Sequence, residues 1–233
     1  MSWQTNTMVV AARNFGRALG LNRWIASYVQ GSGYETRYDN RFTSTLNEGD
    51  CVWDVGANIG YYTRFFSQRI GENGIVYAFE PSPVNFARLT ESCEGLRNVK
   101  LMPFALGREN AKLSFQQGSD DLGATSRVTG SAGGGQLVEV RSAMSLITQG
   151  EVNPPNAIKI DVEGFELEVL EGLADTLASP NLRVFGIEVH FRVLNERGMG
   201  FAPQQIVKLL HKNGFMVKWP DSSHILATRY TLQ

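Results

Sequence analysis

Two short runs in the second half of the chain carry charged side chains at alternate positions. Lys159, Asp161 and Glu163 are separated by Ile160 and Val162, and Glu188 and His190 by Val189. On an extended strand alternate residues face one side, so each run gathers acid, imidazole or ammonium groups. Charges on the strands of an otherwise apolar sheet must be paired or stand at its open end. A crevice lined this way can hold an ammonium, orient a hydroxyl and move a proton. His190 is the expected general base, because an unperturbed imidazole titrates near pH ~6.5; a hydrogen-bonded, partly buried histidine is the alternative. Asp161 can hold an ammonium or orient an acceptor, and Glu163 can cap the helix that follows. Glu188 and Lys159 complete the expected catalytic set. Asp161, Glu163 and Glu188 could also bind a divalent cation through oxygen, but acidic spacing alone is unspecific and no metal is assigned.

A second set of residues begins at Asp54. The spacing Asp54-x-Gly56-x-x-x-Gly60 follows the apolar run 51–55 and opens a helical pattern. The first strand's turn is the usual ligand contact in open α/β sheets. This turn is wider than Gly-x-Gly-x-x-Gly and starts with a carboxylate that would repel a pyrophosphate, which points away from nicotinamide cofactors. S-adenosylmethionine has no phosphate. It presents an ammonium, a carboxylate, a ribose diol, an adenine and a sulfonium, and needs close backbone approach and acceptors, which Gly56, Gly60 and Asp54 can supply. Glu80 closes the next apolar run, where an acid can accept both ribose hydroxyls. The bland readings are a turn cap for Asp54 and a solvated acid before Pro81 for Glu80.

Methyl transfer is an in-line displacement. Holding the partners in line can supply ~7 to 11 kcal/mol, against about 3 to 5 kcal/mol from a general base. Positioning should dominate.

The elements that position these residues alternate between strand and helix patterns from Asp50 onward, the signature of βαβ units and a mainly parallel sheet. Strands are expected at 51–55, 75–79, 99–104, 157–161 and 184–190, the last two carrying the charged runs. Ile59, Tyr62 and Phe66 share a helix face after the first strand, and Pro83 can start the next helix. Residues 112–115 and 137–141 look like an antiparallel pair flanking a Gly-, Ser- and Asp-rich segment, 116–136, expected as a surface loop. Residues 215–219 and 224–228 form a closing pair, so the sheet is doubly wound with an antiparallel edge. Residues 1–40 lie outside this scheme as an N-terminal helical extension. It is expected to pack on the core, with a substrate lid or a homodimer contact as alternatives; residues 41–233 form the catalytic domain.

Composition limits the function classes. The 233 residues are 42% hydrophobic, enough for one domain with a substantial core, and 22 Lys and Arg against 23 Asp and Glu give a net charge of -1. No overall field would hold a polyanion, so nucleic acid is not expected as a partner. The two cysteines, Cys51 and Cys93, form no Cys-x-x-Cys pair. Neither a disulfide framework nor a zinc site is supported. No signal peptide or run of apolar residues of membrane-spanning length is present. A cytoplasmic, soluble protein without membrane insertion is expected.

Three segments taken together resemble the FkbM family of methyltransferases: Val52-Trp53-Asp54-Val55-Gly56-Ala57-Asn58-Ile59-Gly60-Tyr61-Tyr62-Thr63, then Tyr77-Ala78-Phe79-Glu80-Pro81-Ser82-Pro83, then Ile158-Lys159-Ile160-Asp161-Val162-Glu163-Gly164-Phe165-Glu166. The likeness covers about 30 to 230, in the family's order. It implies a Rossmann-like class I methyltransferase with a seven-stranded, mostly parallel sheet, using S-adenosylmethionine on a hydroxyl of a saccharide, secondary metabolite or other small molecule. By position, residues 54–60, Asn58 among them, would line the methionine end, Glu80 the ribose, and Phe104 with Ala105 the adenine. Tyr61, Thr63, Pro81 and Ser82 lie in the same motifs and count as cofactor-binding, with Asp161. Tyr34 and Glu35 match a Tyr-Glu pair common in the family and would close over the cofactor. A nicotinamide-dependent dehydrogenase, or a methyltransferase fold kept for binding without turnover, are the competing readings.

Overall fold

A computed structural model describes residues 40–116, 127–129 and 136–230. Tyr34, Glu35, the N-terminal extension and most of the 116–136 segment lie outside these residues.

The sheet grows from β1 (Cys51–Val55), whose five residues are all buried. Successive side chains leave a strand on opposite faces, and both faces of β1 are buried, apolar apart from Asp54. Trp53 and Val55 join a core with Tyr77, Phe79, Ile158, Ile160 and Ile187, while Val52 packs with Phe66, Ile70, Val76 and Ala157 on the other side. Full burial of each such side chain stabilises by roughly 1.5 to 3 kcal/mol. A strand buried on both faces must be central, which is where β1 lies.

Helix α1 (Tyr61–Ile70) crosses to β2 (Ile75–Phe79), and α2 (Pro83–Ser92) crosses to β3 (Val99–Met102). Ser82 caps α2, its Oγ accepting the Asn85 N–H at 3.3 Å, with Pro83 in the first turn where its missing N–H costs nothing. The chain then leaves the main sheet and returns through α3 (Ala143–Thr148) to β8 (Ala157–Ile160). Helix α4 (Glu166–Leu173) leads to β9 (Val184–Glu188). Helices α5 (Phe191–Glu196) and α6 (Ala202–Lys212) precede β10 (Phe215–Lys218) and β11 (His224–Arg229). The sheet order is β3-β2-β1-β8-β9-β11-β10, parallel except for the pairs made by β11. This is the doubly wound, seven-stranded sheet with an antiparallel edge that the sequence predicts.

The excursion forms a second sheet, β4-β7-β5-β6, from β4 (Ala105–Gly107), β5 (Ala111–Gln116), β6 (Arg127–Thr129) and β7 (Gln136–Ser142). The expected antiparallel pair is β5 with β7; β4 and β6 are additions the sequence reading missed. The small sheet docks on α4, where a Cβ on Gly172 would overlap the carbonyl of Gly107.

Four predicted strands, β3, β8, β9 and β10, are one or two residues shorter than expected, so His190 lies beyond the end of β9, just before α5; for β3 and β8 the reason is shared. β3 stops at Met102, paired with Phe79, the last residue of β2, and Pro103 has no N–H to extend the ladder. β8 stops at Ile160, paired with Val55, the last residue of β1.

Candidate active site

Strand order reverses between β2 and β8 on either side of β1, and open α/β sheets bind ligands beyond the carboxyl end of such a reversal. The segments that follow β1, β2 and β8 lie there. Beyond β1 the chain turns so tightly that the amides of Gly56 and Ala57 both donate to the carbonyl of Phe79, at 3.0 Å. Gly56 has φ +81 and a Cβ there would overlap the Asp161 carbonyl oxygen. The glycine therefore lets the β1 turn and the end of β8 meet backbone to backbone.

Glu80 ties the turn to the end of β2. Its Oε2 accepts the Asn58 N–H at 2.9 Å and its Oε1 the Ser82 N–H at 2.8 Å. Burial pushes the Glu80 carboxyl up to about 7, more than these bonds pull it down. Asn58 itself is left-handed, φ 51, and its buried Oδ1 has no hydrogen-bond partner. Ser82 is spent on capping α2, whereas Tyr61 is half exposed at the crevice side of α1.

The other glycine of the turn has a different use. A Cβ on Gly60 would come within 2.5 Å of Ser92 Oγ and 2.8 Å of Leu89 Cδ1, so Gly60 seats the start of α1 against α2. Asp54 is likewise internal. It is fully buried, accepts the Thr63 hydroxyl at 2.6 Å and lies 3.6 Å from Lys159 Nζ. Asp54, Gly60 and Thr63 thus shape the turn from beneath. The Phe104 ring belongs to the core, 6.0 Å from Phe79 and under the Arg141 guanidinium. Ala105, half-buried, packs with Val138 and Phe165.

Lys159 joins the two halves of the site. Its Nζ is 3.5 Å from Asp161 Oδ2 and 4.5 Å above the Tyr62 ring. Burial works to lower its pKa, but Asp161, Asp54 and Glu188 together hold it above the ordinary lysine value, so it stays an ammonium.

His190 lies at the centre of the acidic half. Its Nδ1 is 2.6 Å from Glu166 Oε1, and its Nε2 is 3.3 Å from Glu163, 3.6 Å from Asp161 and 3.9 Å from Glu188. Burial alone would lower its pKa, yet Glu163, Glu166 and Glu188 raise it well above 6.5. Both ring nitrogens of His190 face carboxylates, which favours the charged ring. Asp161 and Glu163 are the carboxylates open to the crevice, their side chains 31% and 25% exposed.

Asp161, Glu163, Glu188 and His190 come together as the alternation predicts, although the chain reaches this arrangement by another route. Past Ile160 the strand ends, and Glu163 and Gly164 are left-handed at φ 48 and 95. Glu163 arrives beside His190 through a turn, and it does not cap α4. Sequence reasoning assigned no role to Glu166, fully buried in the first turn of α4, nor to His224 and Asp221. His224 pairs with Glu188 in register, its Nε2 3.6 Å from Glu188 and its Nδ1 2.8 Å from Asp221. Burial opposes its protonation, but Asp221 and Glu188 raise its pKa to about 9. The register of the closing pair is the one signal that could have found it.

Residues 54–217 match the Methyltransferase FkbM domain, and so contain every site group just described except His224 and Asp221. The chain belongs to the FkbM methyltransferase family. Among curated FkbM-like relatives, the hexuronic acid methyltransferase AglP of Haloferax volcanii is 34% identical over 70% of this chain and 62% of its own length. The chain thus spans about three fifths of that relative. The 31-O-demethyl-FK506 methyltransferase FkbM of Streptomyces tacrolimicus is 28% identical over 91% of this chain and 87% of its own. The crystal structure of an FkbM methyltransferase from Methylobacillus flagellatus superposes with a TM-score of 0.52 at 16% identity, over 78% of this chain and 44% of that one. That likeness establishes the class I methyltransferase fold. No helix among the described residues of this FkbM member is long and apolar enough to cross a membrane.

Proposed function

We propose that the chain is an S-adenosylmethionine-dependent O-methyltransferase whose acceptor is a hydroxyl of a saccharide or other small molecule. One observation carries the reading. Asn58 and Glu80, just past β1 and β2, and the open carboxylates Asp161 and Glu163, just past β8, stand at the carboxyl ends of strands that meet at a single strand-order reversal, so a cofactor on the turn would face an acceptor at the acids.

The residues fit the cofactor's groups. Each oxygen of Glu80 accepts one backbone N–H, which leaves each a lone pair for a ribose hydroxyl. The unpartnered Oδ1 of Asn58 is a buried acceptor that a ligand donor would satisfy. S-adenosylmethionine supplies an electrophilic methyl group. The acceptor oxygen takes that methyl as the carbon–sulfur bond breaks, and the hydroxyl proton leaves to a carboxylate or to water. Asp161 and Glu163 are the groups open to orient the hydroxyl and accept this proton. Lys159 and His190 hold those carboxylates in place from behind. The relatives support the acceptor class, since AglP is named for a hexuronic acid and FkbM for an O-demethyl compound.

Calorimetric titration of S-adenosylhomocysteine into wild-type and Glu80→Gln protein tests the cofactor before any acceptor is known. Saturable binding that the variant weakens is the expected result, followed by methyl transfer to members of a panel of hydroxylated sugars detected by mass spectrometry. Folded protein that binds a reduced nicotinamide and not S-adenosylhomocysteine would overturn the reading. Transfer to amines alone would overturn the choice of oxygen.

A further inference from the structure

The acidic half of the crevice holds more negative charge than its own bases balance. Six carboxylates (Asp54, Asp161, Glu163, Glu166, Glu188 and Asp221) share three bases, Lys159, His190 and His224, through one chain of ion pairs. Even with all three bases charged, the acids are in excess. Glu166 is fully buried, and only its Oε1 is used, by His190 and the Gly164 N–H; its Oε2 has no hydrogen-bond partner. An uncompensated buried carboxylate oxygen is costly, so the cluster as a whole favours added positive charge.

Within this cluster three ligand atoms converge. One atom each from Asp161, Glu163 and His190 lies within 4.8 Å of the others. The Nε2 of His190 is 3.3 Å from Glu163 Oε1 and 3.6 Å from Asp161 Oδ1. A divalent ion about 2.0 to 2.2 Å from each ligand sets neighbouring ligand atoms roughly 3 to 3.5 Å apart. The two distances from His190 already match this spacing, and the two carboxylates, within 4.8 Å of each other, can close the rest. The remaining atoms are held as a metal site requires. Asp161 Oδ2 is engaged by Lys159, and His190 Nδ1 by the buried Glu166, the carboxylate–imidazole arrangement that fixes the ring and turns Nε2 to the ion.

We propose that Asp161, Glu163 and His190 form a divalent cation site, with one imidazole and two carboxylates as ligands and the partly exposed side of the two acids left for water or ligand oxygen. One imidazole and two carboxylates with no thiolate suit a first-row divalent ion such as Mn²⁺ better than Mg²⁺, which prefers all-oxygen ligands. The cation takes the place of the proton on Nε2. Glu188, 3.9 Å away, and Glu166 act as outer carboxylates. This assignment replaces the all-oxygen set that the sequence suggested with one that includes the histidine.

The test is titration of Mn²⁺ into full-length, chelator-treated protein, read by calorimetry and by loss of the free-ion signal in electron paramagnetic resonance. Saturable binding of one ion per chain is expected, abolished by Glu163→Gln and by Asp161→Asn but unchanged by Glu72→Gln on the surface. Glu163 is partly exposed and its variant should fold, as circular dichroism would show. Wild-type protein that binds no Mn²⁺ at a saturable site, or a folded Glu163→Gln, Asp161→Asn double variant that binds it as well as wild type, overturns the assignment. S-adenosylhomocysteine binding, measured on the same samples without metal, separates failure of this site from failure of the methyltransferase reading.

Discussion

Gly56 and Asp161 meet backbone to backbone: the turn after β1 passes so close to the end of β8 that a methyl group on Gly56 would overlap the Asp161 carbonyl oxygen. Because φ at Gly56 is +81, a side chain also meets left-handed strain. Gly56→Ala should therefore lose about 2 to 4 kcal/mol in urea denaturation, from overpacking together with strain. Gly49, at φ +83 with nothing within 4 Å of a Cβ, provides the comparison. Gly49→Ala should lose only about 1 kcal/mol. Equal losses would show that the close approach is unimportant.

Glu80 should make cofactor binding pH-dependent. Its carboxyl, with an ordinary value of 4.5, is raised to about 7 by burial, and donors such as ribose hydroxyls bind the ionised form best. Affinity for S-adenosylhomocysteine should rise as pH passes through about 7 and then level off. Glu80→Gln should bind about tenfold more weakly and show a flat profile in calorimetry. Stability of the free protein should run the other way. A raised carboxyl pKa contributes stability that is fully present below 4.5 and lost as pH rises through about 7, on the order of 3 kcal/mol in all.

The buried pair of Lys159 and Asp54 should be costly to break from one side. Lys159→Met leaves Asp54 fully buried with only the Thr63 hydroxyl, so a loss of about 3 to 5 kcal/mol is expected in urea denaturation. Adding Asp54→Asn should recover part of it. A double variant no more stable than the single would show that Asp54 is not the group left uncompensated.

His224 should titrate far from the normal histidine range. Its pKa, raised from 6.5 to about 9 by Asp221 and Glu188, contributes stability that is fully present below 6.5 and lost as pH rises through about 9. Carbon-detected NMR of labelled histidine should give a midpoint near that value, and Asp221→Asn should lower it. A midpoint in the ordinary range would mean the ion pairs to His224 are not formed in solution.

Much of the architecture was readable in the chain because it rests on local periodicity. The apolar run 51–55 announced a strand, Pro83 after Ser82 announced a helix start, and the alternation around Lys159 and His190 announced charged strand ends. Where a strand stops was not readable, since that is decided by the length of its neighbour: β8 ends because β1 ends. Nor was the second sheet, because β4 is a three-residue strand recruited only when its partner β7 comes alongside.

At the site, the sequence by itself determined which residue types would gather beyond the carboxyl ends of the strands and which family the chain resembles, because motif order and residue spacing are properties of the chain. Only the tertiary structure decided what each residue does there. Asp54 and Glu80 both read as acceptors for a cofactor; the structure buries both, one beside Lys159 and the other bridging the backbone amides of Asn58 and Ser82. His190 read as a free imidazole near neutral pKa; four carboxylates from the end of β9, from α4 and from the turn between β8 and α4 make it the best-paired cation in the crevice. Charge state depends on distance and desolvation across segments remote in sequence, and spacing along a chain carries neither.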